Sequence, residues 1–159
     1  MAWARGAVSC CARAGVAEEP EPLGIPKGPL YGRLQKGASV ILPDGRTVYS
    51  HDVLGPPKRG CRLAYCLDTR PCAEAASLAR DADLLLYDST LAPGAEVEAA
   101  EKGHSTSRQA AVLAKEAGVK RLVLTHISSR YTNTRELLTG LQGLHDDIAV
   151  ARDLMQLFV

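Results

Sequence analysis

From position 61 onward, short apolar runs alternate with segments whose apolar residues recur every three or four positions. Arg62 to Cys66, Asp83 to Tyr87, Arg121 to Leu124 and Ile148 to Ala151 read as strands, the first and third as buried parallel ones. Between them, Cys72 to Arg80, Thr106 to Ala117 and Thr134 to Leu144 read as helices. The second of these carries Ala110, Leu113, Ala114 and Ala117 on one stripe, opens on a Thr106/Gln109 capping box and stops at Gly118. Leu154 to Val159 closes the sequence. Strand–helix alternation of this kind predicts α/β layers.

Upstream the pattern changes. From Gly24 to Gly60 there are twelve Gly and Pro residues in 37 positions. Ser39 to Leu42 and Arg46 to Ser50 read as two short strands joined through Pro43-Asp44-Gly45, a hairpin turn signal. With few large apolar residues to bury, this hairpin is expected to project from the body; the competing reading is a surface linker. From Lys27 to Arg59 six basic residues face two acidic ones, so the segment is +4. The whole chain is only +1, which leaves −3 elsewhere and gives no global signal for a polyanionic partner. The first 22 residues are rich in Ala, Arg and Cys with no acid before Glu18, and read as a disordered or transit-like N-terminus. Three segments are therefore expected: 1–22, 23–60 and 61–159.

Composition narrows the picture. A chain of 159 residues with 46% hydrophobic but only 4% aromatic content predicts one domain with a core of Ala, Leu and Val. The five cysteines, at positions 10, 11, 61, 66 and 72, form no CxxC pair, which argues against a zinc ribbon and for a reducing compartment. No apolar run approaches the roughly 18 residues that a membrane span needs.

The candidate chemistry sits in three short motifs: Cys66-Leu67-Asp68-Thr69-Arg70-Pro71, Gly103-His104-Ser105-Thr106 and Thr125-His126-Ile127-Ser128-Ser129-Arg130-Tyr131. Asp68 and His126 follow predicted strands, and the carboxyl ends of strands are where open α/β sheets hold ligands. Each residue also has a plainer reading. Asp68 caps the helix that begins near Cys72, and His126 is hydrogen-bonded structure. Imidazole is nonetheless a favoured ligand for zinc. His104 precedes a helix, whose dipole disfavours the imidazolium unless a carboxylate stands near.

In this order the motifs resemble the C-terminal half of the tRNase Z family, the 3′-tRNA-processing endoribonucleases of the metallo-β-lactamase superfamily. The resemblance runs from Leu23 to Val159. It implies a fold, namely the C-terminal half of an αββα sandwich with a projecting basic, Gly/Pro-rich hairpin arm. It also implies roles. Asp68 matches an aspartate that bridges two zinc ions, and His126 matches the last metal ligand. His104 matches the histidine that protonates the leaving group, paired with a glutamate in His-Glu-Ala-Thr. Here the matching stretch is Tyr87-Asp88-Ser89-Thr90, so Asp88 is one methylene shorter. Leu23 to Gly32 matches the start of the tRNA-gripping arm, with Lys27, Arg33 and Lys36 as phosphate contacts, and Ser128-Ser129-Arg130 matches a phosphate-facing turn.

The implied partners are precursor tRNA and a second copy in a homodimer, in the cytoplasm or an organelle and without a membrane. The family's His-x-His-x-Asp-His signature is absent, since the histidines are His51, His104, His126 and His145. His51 is expected inside the arm hairpin and His145 in a solvent-facing loop. The expected activity, metal-dependent phosphodiester hydrolysis, is accordingly incomplete in this chain. The alternative is an inactive tRNase Z-derived fragment that binds tRNA or protein.

Overall fold

The computed structural model describes residues 7–9, 24–26, 28–55 and 60–158. They belong to two compact units, one of Met1–Cys10 with Cys61–Val159, the other of Cys11–Gly60. Lys27, Lys58 and Arg59 lie outside the described residues, as does most of the N-terminal 22.

The larger unit is a five-stranded sheet in the order β1-β4-β5-β6-β7: β1 (Ala7–Ser9), β4 (Arg62–Cys66), β5 (Leu84–Asp88), β6 (Arg121–Thr125) and β7 (Ile148–Val150). The last four run parallel, and β1 pairs antiparallel on β4. Parallel neighbours need crossovers, which α3 (Ala73–Ala79), α4 (Glu96–Lys102) with α5 (Ser107–Glu116), and α6 (Arg135–Leu138) supply.

Register explains which residues reach the core. Ala64, Leu85, Leu122 and Ile148 align across the sheet, as do Cys66, Tyr87, Leu124 and Val150. Both rows meet Ala75 and Ala79 of α3 and Ala110, Ala111 and Ala114 of α5 in one buried cluster. Alanine on the helices lets them lie close to the sheet, which is how a chain so poor in aromatics fills its core. Tyr65, Leu86, Val123 and Ala149 align on the opposite face, where Tyr65 is 40% exposed.

Two helices differ from expectation. The one predicted over Thr134 to Leu144 is only α6, Arg135–Leu138. Thr139 is extended, and Gly140 has φ 71°, a left-handed conformation that ends the helix. The pattern gives no hint of α4, because Ala99 is its single buried residue and Val97 is 75% exposed. His145 does not face solvent as expected: its Nε2 lies 2.9 Å from the Val119 carbonyl and its Nδ1 accepts from the Asp147 amide. It is a structural histidine that ties the loop before β7 to the end of α5.

The smaller unit has its own core. The hairpin is present but short, β2 (Val40–Ile41) paired with β3 (Thr47–Val48), and it turns through Gly45 at φ 83°. Two helices not foreseen, α1 (Pro29–Gln35) and α2 (Ser50–Val53), supply the apolar side chains that the strands lack. Ile25, Leu34, Val40, Leu42, Val48 and Val53 are buried together, with Leu30 and Tyr31 packed against them. The segment is therefore a small folded unit and not a bare hairpin. His51 lies after the hairpin, in α2, stacked on Tyr49.

Candidate metal centre

The parallel register puts the carboxyl ends of β4, β5 and β6 on one rim of the sheet. Asp88 ends β5 opposite Thr125, the last residue of β6. Asp68 follows β4 by two residues, and His126 follows β6 directly. Both turn sharply, with φ 54° at Asp68 and φ 58° at His126. Residues other than glycine seldom adopt left-handed backbone, Asp and His more readily than most, and the surrounding structure must hold them there.

His104 arrives by a different route. Glycine at 103 takes φ 79° as the cap of α4, and the His104 amide donates back to the Ala99 carbonyl at 2.8 Å. The chain then enters α5 through Thr106, whose hydroxyl accepts from the Gln109 amide while the Gln109 side chain accepts from the Thr106 amide. This capping box fixes where the helix starts, and with it the residue two positions earlier.

One ligand atom from each of Asp68, Asp88, His104 and His126 lies within 4.8 Å of the other three. Asp88 is the hub. Its side chain is fully buried, and its Oδ1 accepts from the Thr90 amide at 3.0 Å, the Thr90 hydroxyl at 2.8 Å and the Ser105 amide at 3.4 Å. Its Oδ2 accepts from the Thr69 amide at 3.0 Å and lies 3.1 Å from His104 Nδ1. The aspartate thus reaches His104 despite being one methylene shorter than glutamate. A buried carboxylate with this many donors has its desolvation offset by charge-assisted hydrogen bonds.

Asp68 is built differently. It is 68% exposed and, among the described residues, makes one ionic contact, Oδ1 to His104 Nδ1 at 3.3 Å. His126 is 40% exposed, with Nδ1 at 2.9 Å from the Thr90 hydroxyl and 3.5 Å from Asp88 Oδ2. The two histidine rings lie 5.2 Å apart, tilted at 40°. Two carboxylates and two imidazoles form an oxygen and nitrogen donor set that suits zinc and other borderline divalent ions. The exposed oxygens of Asp68 keep lone pairs for a cation.

The phosphate-contact candidates divide between the two units. Arg130 is engaged by Glu98 in a two-pronged pair, Nη2–Oε1 at 2.7 Å and Nη1–Oε2 at 3.1 Å, with Lys102 also 2.7 Å from Oε1. These cations pull the Glu98 carboxyl down to about 2. Arg33 lies in the last turn of α1 and Lys36 caps it, both exposed, in the smaller unit. Thr69, Ser105 and Thr90 stand inside the sequence motifs but carry no role there, and Glu98 stands in none. Thr90 also has a local signal, a hydroxyl two positions after Asp88, the spacing at which an Asp side chain bonds forward to its own turn.

With the rim described, the relatives become informative. The family described as the β-lactamase superfamily domain matches residues 48–127. The chain belongs to the β-lactamase superfamily. Its curated relatives include the Ribonuclease Z of Salinibacter ruber, 54% identical over 114 residues, covering 72% of this chain and 35% of that protein. The Ribonuclease Z of Methanothermobacter thermautotrophicus is 45% identical over 138 residues, covering 87% of this chain and 45% of that one. Among solved structures, a long-form RNase Z from yeast superposes with a TM-score of 0.54 at 28% identity, covering 62% of this chain and 13% of that chain. The chain therefore spans less than half the length of these curated relatives, a coverage that fits the C-terminal half of tRNase Z.

Proposed function

We propose that this chain is the C-terminal half of a tRNA 3′-end-processing endoribonuclease that hydrolyses a phosphodiester with the help of zinc. The convergence of Asp68, Asp88, His104 and His126 within 4.8 Å carries the reading, and the high identity to Ribonuclease Z proteins supports it. Asp68 and His126 are the residues that hold metal. Bound there, the metal would supply an activated water and charge neutralisation at the scissile phosphate.

His104 and Asp88 do the proton work. Both oxygens near His104 Nδ1 belong to carboxylates, at 3.1 Å and 3.3 Å. They accept from Nδ1 and orient the ring, so that its protonated form can release a proton from Nε2 to the leaving oxygen. Such positioned proton delivery is worth about 10²–10⁴ in rate. Asp88, buried and held by backbone amides, keeps the ring oriented as it does so.

The sequence contains no His-x-His-x-Asp-His stretch, so a second polypeptide segment completes the two-zinc site in this reading. Residues 23–60 act as the tRNA arm, with Lys27, Arg33 and Lys36 contacting phosphates. The same resemblance carries assembly as a homodimer.

The test is complementation. Purified chain is mixed with the remainder of Salinibacter ruber Ribonuclease Z, zinc and precursor tRNA. Cleavage at the discriminator junction is expected from the mixture, abolished by chelator and by His104→Ala, and absent from either part alone. Chelator-sensitive cleavage by this chain alone, or no cleavage from a mixture that forms a stable complex, would overturn the reading. For the arm, Arg33→Ala with Lys36→Ala is expected to lower the salt dependence of tRNA binding, each lost duplex phosphate contact reducing the slope by about 0.9. An unchanged slope removes these residues from the binding surface.

A further inference from the structure

We propose that Thr90 is the positioning residue for His126: its hydroxyl links the buried Asp88 carboxylate to the His126 ring, fixes the ring proton on Nδ1 and leaves Nε2 as the metal-binding nitrogen. The argument is one of proton count. A threonine hydroxyl has one proton to give and lone pairs to receive. Thr90 Oγ1 lies 2.8 Å from Asp88 Oδ1, and a carboxylate oxygen only accepts, so the proton goes there. At 2.9 Å the same Oγ1 meets His126 Nδ1, and it can now only accept. Nδ1 must therefore carry the hydrogen. Its next polar neighbour, Asp88 Oδ2 at 3.5 Å, is another acceptor. An Nδ1 lone pair would face oxygen on both sides.

The backbone works in the same direction. The carbonyl of Thr90 accepts from the Ser128 amide at 3.1 Å, which pins the turn beyond His126, whose own φ is 58°. One residue thus fixes both the ring and the left-handed backbone that carries it. Metal-binding histidines are commonly oriented through the nitrogen that does not bind, and loss of that partner weakens metal binding about 10- to 100-fold. Here the partner is a hydroxyl relay, with the carboxylate one step behind. This role rests on the reading of His126 as a ligand.

The experiment uses the 159-residue chain with ¹⁵N-labelled histidine, at a pH where the rings are neutral. His126→Gln assigns the resonance. In the wild type, the His126 ring nitrogens are expected to show a protonated Nδ1 and a bare Nε2. Thr90→Ser is expected to keep that pattern, whereas Thr90→Val gives mixed tautomers and a zinc titration midpoint raised about 10- to 100-fold. His104 should keep its pattern in all three proteins, which separates positioning from misfolding. A wild-type His126 protonated on Nε2 overturns the assignment without any variant. So does a Thr90→Val protein with the wild-type tautomer and midpoint, or a Thr90→Ser protein as impaired as Thr90→Val. A wild type that gives no response to zinc counts against the metal reading alone, since the ring-proton measurement still decides the role of Thr90.

Discussion

Asp88 ends one parallel strand and Asp68 follows another, and both lie within 3.3 Å of His104 Nδ1, yet their surroundings are opposite. Asp88 is fully buried, in regular strand backbone, and accepts from amides in three separate loops. Asp68 is mostly exposed, in left-handed backbone, with one ionic partner among the described residues. The histidines divide the same way, with His104 at 20% exposure and His126 at 40%. Thus one pair ties the rim together, and the other is held in place by it at a conformational cost. Strained, exposed residues beside a saturated buried hub are expected where a site is set up for a ligand.

The comparison breaks most easily at its buried end. Replacing Asp88 with Leu strands the Thr69, Thr90 and Ser105 amides without an acceptor. A loss of about 3–5 kcal/mol is expected, the usual cost of removing one partner from a buried charged network. Urea unfolding reads it directly. A loss under about 1 kcal/mol would mean that the hub is not what holds the rim.

Asp68 should behave in the opposite sense. Asp68→Gly relieves the left-handed strain, so stability is expected to stay level or rise by up to about 1–2 kcal/mol, while zinc binding is lost. The same urea experiment with a zinc titration covers both. Destabilisation comparable to that of Asp88→Leu would erase the contrast.

A smaller effect concerns the loop after His126. Glu98 holds Arg130 there, and Arg130 first, then Lys102, lowers its carboxyl from 4.5 to about 2. The sign follows from linkage: a depressed carboxylate contributes above its unfolded pKa, and the contribution fades as pH falls from about 4.5 towards 2. Chemical shifts of the Ser128 to Tyr131 amides are expected to move through that window, and Glu98→Gln should abolish the transition. An unchanged transition in the variant would assign it to another group.

The smallest effect is at the strand before Asp68. Burial, and then Cys72, pushes the Cys66 thiol up to about 11, so thiol labelling at pH 8 should modify exposed Cys61 and spare Cys66. Equal labelling would show that the end of β4 opens.

Much of this architecture was legible in the residues. Continuous apolar runs located β4, β5 and β6, because parallel strands under crossover helices are largely apolar, even where one face is open as at Tyr65. Thr106 and Gln109 marked the start of α5 because a capping box is a purely local signal. What escaped depends on tertiary context. Helix α4 buries only Ala99, so it has no stripe to read. The smaller unit collects its core from six residues spread between Ile25 and Val53, and no single window shows them together. At the site, Asp68, His104 and His126 stood out through their motifs. Thr90 lies in the stretch matched to His-Glu-Ala-Thr without a role, and Glu98 in no motif, since a threonine and a glutamate acquire their roles only from what the fold sets beside them.

The most direct test of the central claim is anomalous diffraction at the zinc edge from crystals of this chain soaked in zinc. The account predicts a peak beside Asp68 and His126, with ligand distances of about 2.0–2.2 Å, and no zinc at His51 or His145. No peak at that rim, or one confined to His51 or His145, would contradict it.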